Sequence, residues 1–275
     1  IALLMLGIAL FVTEYLSEEK IQTKRTMVSI LAMVVGCFSK AVYIPFLALY
    51  WLMPKDKFYS RRQKNLFKAG IFVLLILMFA SFILPLIGNV TSGAEVGDYR
   101  GGDTSQTSQL SMILGYPLTY TGVLLKSLGT TFASYFIGSK VLANFAYRGI
   151  YDGIGYFVVL LTMLFTFVTD FGMTEKTYDA QMKRKILMMK IWNAVLIFGT
   201  ACLVWTALYL DFTPVGSMVI NGVSPRYYLP LIFPLSLIFI NQKVRCSMKL
   251  ENYQSLIAFL MLIGTGISIY CLMLA

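Results

Sequence analysis

Lys40 stands in GCFSKAVYIP, at the middle of an apolar run from 27 to 53. A lysine near the centre of a bilayer costs about 2.5–3.5 kcal/mol on insertion scales, so its position needs a reason. One reason is chemical: an ammonium at the mouth of a cavity can meet a lipid-linked phosphate. The other is structural: the side chain snorkels or pairs with a carboxylate and fixes packing. A second place is GDYRGGDTSQTSQ, where Asp98 and Asp103 flank Arg100 beside paired glycines. Such a loop can bind a sugar, a phosphate or a divalent cation held by oxygen ligands. It is equally a solvated loop, and its spacing is not a calcium motif. The third is Arg226 in NGVSPRYYLPL, five donors placed where a loop enters a span, with Tyr227 and Tyr228 beside it. That arrangement suits a phosphate, or an ordinary aromatic belt with a snorkelling arginine. The fourth is GSKVLANFAYRGIYD, with Lys140, Tyr147, Arg148, Tyr151 and Asp152, which reads first as an amphipathic interfacial surface.

The elements that must position these residues follow from composition. Hydrophobic residues make up 58% of the chain, charged residues only 13%, and the mean hydropathy is +0.74. A soluble domain carries about 25% charged residues, so this chain cannot cover itself in water. Runs of about 20 apolar residues, enough to cross a hydrocarbon core of about 30 Å, are the expected alternative. They fall at roughly 1–16, 69–88, 153–171, 187–210, 227–242 and 255–275. The fold class expected is all-α, a multi-pass transmembrane helical bundle forming a single domain over 1–275. Both ends lie inside apolar runs, which reads as a fragment lacking N-terminal spans. The run 27–53 would be about 40 Å long as one helix, too long for a simple crossing. Two half-length helices, 27–39 and 42–53, meeting near Lys40 as a re-entrant pair explain both the length and the lysine.

The net charge of +10 does not point to a nucleic acid, because the basic residues sit in short loops and form no continuous face. Instead 17 of the 23 Lys and Arg residues fall in the loops 17–26, 54–68, 171–190 and 243–250, which places those loops in the cytoplasm. The segment 89–152 is then external, its stretch 110–137 lying in the outer interface as helices with Tyr116, Tyr120 and Tyr135 at headgroup depth. Lys40, Arg100, Arg148 and Arg226 are among the few cations this topology leaves outside or within the membrane. An anionic ligand at the outer leaflet would have to use some of them. The absence of histidine removes His-based general catalysis and the commonest zinc ligand. Cys37, Cys202, Cys246 and Cys271 form no CxxC pair, so a metal or redox site is not expected.

In order, FSKAVYIPFLALYWLMPKDKF, DYRGGDTSQTSQL, GYPLTY, YFIGSKVL and FTPVGSMVINGVSPRYYLPL resemble an uncharacterised family of bacterial membrane proteins, domain of unknown function 2142, over about 27–242. That family carries a K-P-x-Y segment, an R-G-G external loop and a G-V-Q-G-R-Y-F-L-P segment, onto which Lys40, Arg100 and Arg226 fall. Ala41-Val42 stands here where the family has prolines, and Ser224-Pro225 replaces Gln-Gly. The family is similar in outline to the type C glycosyltransferases. The resemblance implies a polyprenyl-phosphate-linked sugar donor and transfer on the outer face of the bacterial cytoplasmic membrane, in cell-surface polysaccharide assembly. It places the catalytic carboxylate in a first external loop that this sequence lacks, so no catalytic residue is assigned. Lys40, Arg100, Arg226, Tyr227, Arg148, Asp98 and Asp103 are the expected contacts to lipid phosphate or sugar, and a divalent cation is one option for a cofactor. A transporter or flippase of lipid-linked saccharides, or a non-catalytic partner in a membrane assembly complex, would use the same surface without covalent chemistry.

Overall fold

The computed structural model describes residues 1–91, 104–145, 149–169, 179–239 and 248–274. Every regular element among them is helical, apart from an isolated antiparallel bridge between Asn144 and Ile150. Among the described residues three helices are long and apolar enough to cross a membrane: Arg61–Pro85 within α3 (Arg61–Thr91), α8 (Ala180–Phe212) and α10 (Leu250–Leu274). They coincide with the spans expected at 69–88, 187–210 and 255–275. Helices α1 (Ala2–Leu16) and α7 (Ile154–Thr169) are apolar but shorter. The chain divides into two compact units, Ile1–Thr130 with Lys185–Ser224, and Thr131–Arg184 with Pro225–Ala275.

The first unit is built around α1, α2 (Thr23–Phe38) and a 3-10 helix, Ala41–Leu52. Helices α1 and α2 run antiparallel, with two glycines at the contact. A Cβ on Gly7 would stand 2.9 Å from the Ser29 carbonyl oxygen, and one on Gly36 would stand 2.7 Å from the Leu4 nitrogen. Small residues that let two backbones approach this closely are what holds helices together where lipid supplies no hydrophobic drive. At the other end of the pair, Glu14 is buried, accepts the Gln22 N–H at 2.9 Å and lies 3.5 Å from Arg25.

The chain breaks at Ser39–Lys40. Lys40 is extended (φ −159°, ψ 112°) while its N–H still reaches the Cys37 carbonyl at 2.9 Å. The 3-10 helix then returns alongside α2. The Tyr50 hydroxyl donates to Ser29 Oγ at 2.5 Å, Ser29 donates on to the Gly7 carbonyl at 2.6 Å, and the Ile21 N–H reaches the Lys57 carbonyl at 2.9 Å. Residues 21 and 57 are therefore joined, and Lys40 is the tip of a hairpin. Its two arms match in length: 16 residues at 1.5 Å and 12 at 2.0 Å each give about 24 Å. Pro45 helps to select the tighter winding. It has no N–H to give, and its ring would clash with the carbonyl four residues earlier in an α-helix. Runs of 3-10 helix this long are uncommon, and this one is held by burial. Tyr43, Ile44, Phe46, Leu47, Leu49 and Tyr50 are all in the core, and Trp192 of α8 donates its indole N–H to the Ala48 carbonyl at 3.0 Å. Helix α3 covers the 3-10 helix through Tyr50–Phe67 and Trp51–Phe72 ring contacts.

The stretch expected to lie in the interface is two helices, α4 (Gln106–Gly115) and α5 (Pro117–Phe136), parted at Tyr116 where Pro117 begins the second. Neither is among the three helices able to cross by length and composition. In the first unit α5 meets α8 through the Tyr120 and Thr206 hydroxyls, 2.5 Å apart.

The second unit holds α6 (Ser139–Leu142), α7, the 3-10 turns Pro225–Tyr227 and Leu229–Leu231, α9 (Ile232–Ile238) and α10. Helices α7 and α10 pack antiparallel, with Gly155 against Gly264 and Ser268 at one end and the Thr169 and Tyr253 hydroxyls 2.8 Å apart at the other. The crossing expected over 227–242 is not one helix in its described part. It is a chain of short turns leading into the seven-residue α9. Pro225, Pro230 and Pro234 withhold N–H donors at intervals of four or five residues, which stops any longer α-helix from forming.

Candidate functional site

Of the residues singled out in the sequence, Lys40 falls in the first unit and Lys140, Tyr151, Asp152, Arg226 and Tyr227 in the second. Asp98, Arg100, Asp103, Tyr147 and Arg148 lie outside the described residues. Lys40 is half-buried at the hairpin tip, its carbonyl accepting the Tyr43 N–H at 3.3 Å and its neighbour Ser39 closing on the Gly36 carbonyl at 3.3 Å. The lysine thus sits on non-helical backbone between two helical arms, the kind of break where main-chain dipoles and a side-chain charge can face a common ligand.

In the second unit α6 packs against the turn Pro225–Tyr227. Lys140, in α6, and Arg226, in the turn, are both exposed on these adjoining segments. The turn is fixed by Tyr228, only 1% exposed, whose ring meets Tyr135 and Phe136 edge-on at 5.4 and 4.9 Å between centroids. Its N–H donates to the Pro225 carbonyl at 2.8 Å and its own carbonyl takes the Leu231 N–H at 2.8 Å. With Tyr228 driven inward as a peg, the preceding Arg226 is left on the surface, its guanidinium 5.8 Å from the Tyr227 ring centroid. Tyr156 anchors the start of the same corner by donating to the Ile137 carbonyl at 2.8 Å. Two cations and a tyrosine ring on adjoining segments are groups of the kind that bind a phosphodiester and a flat ring. Tyr151 and Asp152 follow the Asn144–Ile150 bridge, and the Tyr151 N–H reaches the Ala143 carbonyl at 3.0 Å.

Two polar features gave no signal in the sequence. At the base of the hairpin Lys57 is 2% exposed, and its ammonium donates to the Ser17 carbonyl at 2.7 Å, the Ser17 hydroxyl at 2.5 Å and the Glu19 carbonyl at 3.0 Å. Burial pushes this ammonium below the ordinary lysine range; Glu14 works against that shift and nearby Lys185 adds to it. Next to it, burial acts to raise the Asp56 carboxyl, but the hydrogen bond from Lys185 at 3.2 Å and a backbone donor outweigh it and hold the group below its usual value. The second feature joins α4 to the end of α8. Gln106 donates to Asp211 at 2.6 Å, and the buried Gln109 accepts the N–H of Gly216, whose φ of 76° glycine adopts without strain. Nothing in LDFTPVGS, read as sequence, separates Asp211 from an ordinary residue at the end of a span. Among the described residues no three His, Cys, Asp or Glu side chains come together.

A family model described as predicted membrane protein (DUF2142) matches residues 1–235. The chain belongs to the DUF2142 family. No curated protein and no solved structure matches it. The DUF2142 match spans both Lys40 and Arg226, together with the hairpin and the Tyr228 peg that position them.

Proposed function

We propose that this DUF2142 protein is a glycosyltransferase-like enzyme of the bacterial cytoplasmic membrane, taking a polyprenyl-phosphate-linked sugar for cell-surface polysaccharide assembly. The observation that carries the reading is the packing of α6 on the turn Pro225–Tyr227, which sets Lys140 and Arg226 on adjoining exposed segments beside Tyr227. In the reaction the acceptor hydroxyl gives up its proton to solvent and its oxygen bonds to the anomeric carbon as the bond from that carbon to the phosphate oxygen breaks, and the lipid phosphate leaves with the electron pair. Charge grows on the phosphate oxygens during that step, and preorganised cations aimed there lower the barrier. Arg226 and Lys140 take this role in the second unit; in the first unit Lys40 is a separate candidate contact to a lipid phosphate. Arg100, Arg148, Asp98 and Asp103 complete the expected contacts to phosphate, sugar or a divalent cation.

The hairpin broken at Lys40 favours a second reading, a transporter or flippase of lipid-linked saccharides, because discontinuous helices build many transporter sites. One experiment separates the two. The purified full-length protein, native and Arg226→Ala, is mixed with a polyprenyl-phosphate sugar, and bound donor and released polyprenyl phosphate are measured together. Loss of one charge-assisted contact is worth about 1.5–3 kcal/mol, so binding should weaken about 10- to 100-fold. Release should fall in parallel. Binding without release moves the protein to the transporter class, and native protein that binds no donor overturns both readings.

A further inference from the structure

The base of the hairpin is rich in exposed cations, and its charge is unbalanced. The segments 17–26 and 54–64 are joined there by the Ile21–Lys57 backbone bond and by Lys20, which donates to the carbonyls of Asp56 at 2.8 Å and Phe58 at 3.2 Å. The nearby acids are already engaged. Glu14 is buried against Gln22 and Arg25, Glu19 accepts from Gln22, and Asp56 holds Lys185. Only Glu18 is left, while Lys24, Lys55, Arg61 and Arg62 are exposed with no ion-pair partner among the described residues. No carboxylate offsets them in the first turn of α2 or of α3.

This surface runs straight into lipid-facing helix. Leu66 and Phe72 of α3 are 64% and 51% exposed, and Leu66 lies about 7.5 Å along the axis from Arg61. The exposed cations therefore stand at the level of headgroups rather than out in water. Lys68 draws the same boundary, donating to the Trp51 carbonyl at 2.9 Å while Trp51 stacks on Phe72. Clusters of four or more Lys and Arg directly beside a spanning helix attract acidic lipid. We propose that the surface bearing Lys24, Lys55, Arg61 and Arg62 binds the headgroups of anionic phospholipids. The occupant is a lipid rather than a soluble anion because the cations adjoin apolar surface that acyl chains would cover. This inference does not depend on the proposed transferase activity.

The test uses the full-length protein in phosphatidylcholine nanodiscs into which phosphatidylglycerol is titrated, with the thermal unfolding midpoint as readout. Phosphatidylglycerol should raise the midpoint, and salt should weaken the effect. The apparent affinity for phosphatidylglycerol should fall about fivefold for each cation removed, so that Arg61→Gln with Arg62→Gln lowers it about 25-fold and the rise is largely lost. Lys24→Gln, an exposed side chain with no side-chain hydrogen bond among the described residues, provides a single-site variant whose folding is not at stake. Lys126→Gln, on α5, should respond as the native protein does. A phosphatidylglycerol response unchanged in both the Lys24 variant and the arginine variant overturns the proposal. So does an equal rise given by inorganic phosphate in phosphatidylcholine alone, which would assign the cations to a soluble anion.

Discussion

Lys57 and Lys55 sit two residues apart in PKDKF, and only one of them is structural. Lys57 gives all three of its donors to Ser17 and Glu19 inside the fold, whereas Lys55 is exposed. Replacing Lys57 with methionine keeps the apolar stem but strands those acceptors. A buried acceptor left without its donor costs about 1–3 kcal/mol, so Lys57→Met in detergent should lose about 2 kcal/mol by thermal unfolding. Lys55→Gln should stay within about 0.5 kcal/mol of the native protein. Equal losses would mean that Lys57 does not act as the clasp of the hairpin. The sequence could not have told the two lysines apart, because both belong to the same basic loop and differ only in which way the turn Lys55–Lys57 carries them. Arg226 stands between a proline and a tyrosine pair at the edge of an apolar run, which as sequence fits a phosphate contact or a snorkelling arginine, and the peg formed by Tyr228 accounts for its exposure.

At the scale of elements, the contact between α1 and α2 rests on Gly7 and Gly36. A methyl group at Gly36 would press on the backbone of Leu4, which cannot swing aside as a side-chain tip can. Overpacking of this kind costs about 1–3 kcal/mol, and Gly36→Ala should lower the unfolding midpoint accordingly. Gly70, in α3, has nothing within 4 Å of a Cβ, so Gly70→Ala should be neutral or stabilise by up to about 1 kcal/mol. A stable Gly36→Ala protein would show that the two helices do not meet as described. The break at Lys40 could be read in advance, because a run of 27 residues with a central lysine fits neither a crossing nor a soluble helix. The 3-10 winding of Ala41–Leu52 could not, since apolar periodicity says little about winding when every residue from Tyr43 to Tyr50 except Pro45 is buried. Over 227–239 the apolar run said nothing of winding, because hydropathy takes no account of the donors that Pro230 and Pro234 lack.

For the whole molecule the testable quantity is sidedness. In a protein whose four native cysteines have been replaced, Glu18→Cys and Tyr59→Cys should be labelled by an impermeant thiol reagent from one face of the membrane. Lys126→Cys and Val219→Cys should be labelled from the other. Glu18 and Tyr59 reacting from opposite faces would break the hairpin description, in which residues 21 and 57 share a hydrogen bond. Helical character and membrane location were legible because composition alone leaves no other way to shield so much apolar surface. The division into two units was not, since it depends on which helices pair, and α7 finds α10 across about a hundred residues of chain.

A hairpin with joined ends and a lysine at its tip also bears on how the nascent chain enters a bilayer. Each arm emerging alone would present a half-length apolar segment, marginal for recognition by the insertion machinery, with Lys40 dragging at its end. Delivered together, the arms bring one ammonium for two segments. The clasp at Lys57 can close only after the second arm has been synthesised, so biogenesis of this region is an event of the pair and not of either helix.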